Sequence, residues 1–120
     1  MFTDEIITKL TNSFNSSNGM DKNANVVVKI RNVAGPGVFY AISGWYEHKD
    51  ILNNGPADFY VYGLTNINFS GEDNAILDNP EFTAITIEDF DTFNIPYGHV
   101  KFEMYEYTGT VEDAINELTA

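Results

Sequence analysis

Between Val26 and Tyr105, apolar side chains recur at every second position in run after run. Most of these runs are cut short by glycine, proline, asparagine or aspartate. Two is the strand period, because successive side chains of an extended chain point to opposite faces. Val26, Val28 and Ile30 alternate with Val27, Lys29 and Arg31. After the turn Ala34-Gly35-Pro36-Gly37, the run from Val38 to Glu47 carries Phe39, Tyr40, Ile42, Trp45 and Tyr46, so the two runs predict a hairpin. Beyond the breakers Asn53-Asn54-Gly55-Pro56, a third run sets Phe59, Val61, Ile67 and Phe69 against Tyr60, Tyr62 and Leu64. A polar loop is expected over roughly 70–80, a short strand over Phe82 to Ile87, and a last strand where Val100, Phe102 and Met104 alternate with Lys101, Glu103 and Tyr105.

The two ends switch to the helical period. Ile6, Ile7, Leu10 and Phe14 form one stripe over about residues 4–16. Thr3 is the expected N-cap, Asp4 and Glu5 suit the first turn, and Phe2 with Ile7 fits a hydrophobic staple. Gly19 suits a left-handed position after the helix. At the other end Thr110-Val111-Glu112-Asp113 reads as an acidic capping box, followed by the stripe Val111, Ala114, Ile115 and Leu118.

The order α-β-β-β-β-β-α with short connections predicts an α+β fold. We expect an antiparallel sheet of four to five strands, with the N-terminal and C-terminal helices packed on one face and the other face partly in water. A chain of 120 residues with no repeat and no long linker makes one domain, 1–120. It has no cysteine, so it holds no disulfide, thiolate metal site or cysteine nucleophile. The start, Met1-Phe2-Thr3-Asp4-Glu5, lacks a basic, apolar leader, and no run approaches a membrane span; a cytoplasmic protein is expected.

Known chemistry finds little purchase. His48 and His99 are the two histidines, and neither belongs to a zinc-binding spacing. Asp21-Lys22-Asn23-Ala24-Asn25 begins like a calcium loop but meets Val26 where glycine is needed and Asn32 where the glutamate belongs. Gly35-Pro36-Gly37 lacks the lysine and the strand-to-helix setting of a phosphate loop, and no serine sits in a G-x-S-x-G elbow. Neither an enzyme nor a cofactor or metal site is expected.

The charge is more informative. The net charge is −12, and it is unevenly placed. Residues 1–70 hold six acids against five bases, whereas residues 71–120 hold twelve acids against Lys101 alone. Such a surface repels nucleic acid and anionic membranes and attracts basic proteins. Seven tyrosines add large amphipathic side chains that suit contact surfaces. If residues 88–91 are extended, Asp89 and Asp91 lie roughly 6.6–6.8 Å apart on one side, close to the spacing of alternate DNA phosphates. The expected partner-binding set is therefore Glu88, Asp89, Asp91, Glu103, Glu112, Asp113 and Glu117, with Tyr105 and Tyr107. The function this implies is a small acidic inhibitor that blocks a basic, nucleic-acid-handling protein, of the anti-restriction, anti-CRISPR or toxin-immunity kind, with a phage as the expected source. The alternatives are an oligomerising component of a virion or secretion apparatus, and a small-ligand-binding domain.

Overall fold

The computed structural model describes residues 2–16, 23–47, 57–69, 76–93 and 101–119. Helix α1 spans Asp4–Asn15, with Thr3 Oγ1 accepting from the Ile6 N–H at 3.3 Å, and ends on Ser16 in an extended conformation. The strands are β1 (Val28–Asn32), β2 (Val38–Glu47), β3 (Asp58–Ile67), β4 (Ile76–Thr86) and β5 (Phe102–Glu106). Helix α2 (Ile87–Phe93) precedes β5, and α3 (Val111–Thr119) follows it. His48, His99, Gly19, Asp21, Glu72, Asp73 and the Asn53–Pro56 breakers lie outside the described residues.

All five strands form one antiparallel sheet in the order β4-β3-β2-β1-β5. The expected β1–β2 hairpin is present. Its turn uses Gly37 at φ +128°, a left-handed conformation that glycine alone adopts readily. Buried Asn32 ties this turn to β5. Its side chain donates to Pro36 O at 3.2 Å and accepts from the N–H groups of Ala34 at 3.1 Å and Lys101 at 2.9 Å.

The α+β class, the antiparallel sheet and the terminal helices are as expected. The placement of the helices is not: α1 and α3 lie on opposite faces. Leu10 packs with Val28, Ile30, Phe39, Ala41, Phe59 and Val61, whereas Val111 and Ala114 of α3 pack with Tyr40, Ile42 and Leu64. The reason lies in the central strand, β2. Its consecutive residues, Phe39-Tyr40-Ala41-Ile42, are all apolar or aromatic and all buried. A strand that is apolar on both sides needs a cover on both.

Two local readings change as well. The run through Val26, Val28 and Ile30 is not one face. The chain turns at Val27, so Val26 joins the α3 side and Val28 and Ile30 the α1 side. The segment expected as a polar loop is partly strand, since β4 starts at Ile76, and the stretch after Thr86 is helical rather than extended. Phe90 explains α2. Its ring is fully buried and meets Phe2, Phe39, Phe69 and Phe102 at 5.2–5.8 Å between centroids. A single helical turn sends Phe90 inward and leaves Glu88 and Asp91 at the surface.

Candidate functional site

Helix geometry separates the acids that the strand reading joins. Residues two apart on a helix diverge by about 200°, so Asp89 and Asp91 do not form a row. The Asp89 side chain is occupied by the backbone. Its Oδ2 accepts from the Thr86 N–H at 3.3 Å while Thr86 Oγ1 accepts from the Asp89 N–H at 3.1 Å, a capping box on α2. Glu88 and Asp91 are exposed on the α1 side of the sheet, where the contact of Phe2 with Phe90 brings the first turn of α1, with Asp4 and Glu5, alongside α2.

The remaining nominees belong to β5, α3 and the turn between them. Strand register puts Glu103 opposite Arg31 and Tyr105 opposite Lys29, which places all four on the α3 face. Glu103 is exposed and accepts from the Tyr105 hydroxyl at 2.8 Å. Asp113 closes the expected capping box: its Oδ2 accepts from the Thr110 N–H at 2.8 Å, and its own N–H donates to Thr110 Oγ1 at 3.2 Å. Glu112 is exposed and has no partner among the described residues. The nominated acids thus form two groups on opposite faces of the sheet, and no single flat partner surface can cover both.

Glu117 sits at the centre of a cluster that alternation alone does not reveal. One of its oxygens accepts from the hydroxyls of both Tyr40 and Tyr107, and the other lies 3.8 Å from Lys29 Nζ. The two rings meet edge-on at 5.3 Å, and Lys29 Nζ lies 5.2 Å from the centre of the Tyr40 ring and 6.0 Å from that of Tyr107. Burial, reinforced by the Glu117 charge and hydrogen bond, pushes the Tyr40 hydroxyl from 10.0 up to about 12. Burial and then the bond to Glu117 raise Tyr107 too. Both phenols therefore stay protonated at neutral pH and act as donors, not bases. Their bonds hold α3 to the sheet.

Arg31, next to this cluster, makes no ion pair among the described residues, and its guanidinium lies 6.0 Å from the Tyr105 ring centre. Lys29, Arg31 and Tyr40 are absent from the sequence-based site. The visible signal is that Lys29 and Arg31 share the face of β1 opposite its apolar side chains.

Farther along the same face runs a row of rings. Trp45 stacks on Tyr60 at 6.1 Å and 9°, and Tyr62 on Phe82 at 5.8 Å and 10°, with Phe82 45% exposed. Among the described residues, no three His, Asp or Glu side chains are grouped to hold a metal ion, and no helix is long and apolar enough to cross a membrane. No protein-family model matches the chain, and searches of curated proteins and of solved structures find no similar protein.

Proposed function

We propose that the chain is a small inhibitor that binds a basic, nucleic-acid-handling protein through the border formed by β5 and α3. The observation that carries this reading is the make-up of that border. Tyr105 is 40% exposed, its hydroxyl is bonded to exposed Glu103, and Glu112, unpaired among the described residues, stands in the first turn of the helix that follows β5. A tyrosine ring among carboxylates offers both a large contact area and attraction to lysine and arginine. Glu88 and Asp91 of α2 lie on the opposite face, so their charge steers approach rather than forming the contact.

The test is binding to a panel of basic nucleases and toxins at rising salt, with two variants. Glu103→Gln/Glu112→Gln/Tyr105→Ser weakens capture at least about tenfold if this border is the contact, since each interface anchor contributes roughly 1–2 kcal/mol. Glu88→Gln/Asp91→Asn lowers the association rate at low salt and leaves the dissociation rate unchanged. Capture that ignores both ionic strength and the first variant overturns the proposal.

A second reading, self-assembly, is favoured by exposed Phe82 and Ile76 on β4, which lies at an edge of the sheet. Light scattering on the purified protein separates the two: a concentration-dependent oligomer that Phe82→Ser abolishes supports assembly.

A further inference from the structure

Arg31 has an obvious carboxylate across the strand pair and does not use it. Glu103 is its register partner on the same face, yet Glu103 accepts the Tyr105 hydroxyl instead. The guanidinium rests near the Tyr105 ring with no hydrogen-bond or ion-pair partner among the described residues. Lys29, two residues away on the same strand face, is held over Tyr40 and shares its charge with Glu117. Arg31 is thus the freer of two neighbouring cations in a chain that has only six and a net charge of −12.

These two cations border one open groove. Its walls are Lys29, Arg31, Gly37, Val38, Tyr40, Glu117 and Leu118, and its volume is about 560 Å³. Arg31 and half-buried Val38 are register partners across β1 and β2, and Leu118 of the last turn of α3 lines the same groove, so it offers a guanidinium beside aliphatic side chains. A planar guanidinium with unfilled donors matches a carboxylate in two parallel hydrogen bonds. Val38 and Leu118 match an apolar chain attached to it. A bare small anion gains too little, because the surrounding acids repel it.

We propose that this groove binds an aliphatic carboxylate, with the carboxylate on Arg31 and the apolar chain between Val38 and Leu118. Such a group is found both in free short-chain acids and at the C-terminus of a peptide ending in an aliphatic residue. The inference does not rest on the acidic-border reading, and it uses different residues.

The experiment is a titration of the 15N-labelled full chain, following backbone amide shifts. Hexanoate and N-acetyl-leucine are the ligands; N-acetyl-leucinamide and inorganic phosphate are the controls. Saturable shifts are expected at Arg31, Val38 and Leu118 with the two acids, with a Kd in the range of roughly 1 mM. Tighter binding of N-acetyl-leucine identifies the peptide terminus as the source, and tighter binding of hexanoate the free acid. Arg31→Gln is expected to weaken both by about tenfold or more, with an unchanged unfolding midpoint because the side chain is exposed. Arg31→Lys recovers part of the loss, since it restores the charge without the fork. The inference is overturned if the leucinamide or phosphate produces the same shifts, if the acids produce none, or if Arg31→Gln binds as tightly as the parent. None of these outcomes bears on binding at Glu103 and Glu112.

Discussion

Glu117 shows how a single side chain is diverted from one role to another by its neighbours. On the sequence it is one of the acids available to a partner. In the fold it anchors α3 by accepting two phenols and facing Lys29. The tyrosines carry a pH signature of this arrangement. The folded state raises the Tyr40 hydroxyl from 10.0 to about 12, so between those values the folded protein keeps a proton that the unfolded chain releases. The resulting stability is fully present below pH ~10 and is lost as pH rises through ~12. Tyr40→Phe should lower stability at neutral pH by about 1 kcal/mol, through the lost hydrogen bond to a charged group. It should also make the alkaline decline shallower. Urea unfolding of both proteins at neutral and alkaline pH checks the sign; an equally steep decline in the variant would show that Glu117 and burial do not hold the Tyr40 proton.

At the scale of elements, the two short helices start with the same device. Thr86 with Asp89 caps α2, and Thr110 with Asp113 caps α3. Two of the nominated site acids are therefore structural, and neutralising them disturbs folding as well as charge. Thr110→Ala is expected to cost about 1 kcal/mol, and Asp113→Ala a similar amount. The double variant should cost less than the sum, because both residues serve one box. Thermal unfolding of the three variants measures this. Strict additivity would mean that the two bonds act independently. The α3 box is legible in the sequence because Thr110 directly precedes a helical stripe. The α2 box is hidden because Ile85 and Ile87 continue the strand alternation through Thr86. Only the pocket of phenylalanines around Phe90 makes a helix the better solution there.

At the scale of the molecule, the charge is unbalanced and lies outside. Every described acid is exposed or half-exposed. Repulsion across such a surface opposes folding most where screening is weakest, with a Debye length of about 30 Å at 0.01 M salt against about 10 Å at 0.1 M. The unfolding temperature should therefore rise with sodium chloride over this range. A calorimetric scan at several salt concentrations checks it, and a flat response would mean that the acids lie too far apart to interact.

The sequence by itself determines most of the strands, the two terminal helices and the surplus of charge in the second half, because period, capping residues and composition are local properties. Tertiary structure alone decides that the sheet is covered on both faces, that α2 exists, and that the acids divide into two groups. These depend on which apolar surfaces must be buried against each other, and residues far apart in the chain settle that. It also assembles Lys29, Arg31, Tyr40, Tyr105 and Glu117 from two neighbouring strands, an edge strand and a helix. No spacing along the chain records that meeting, because it arises from cross-strand register and from the path of α3 over the sheet.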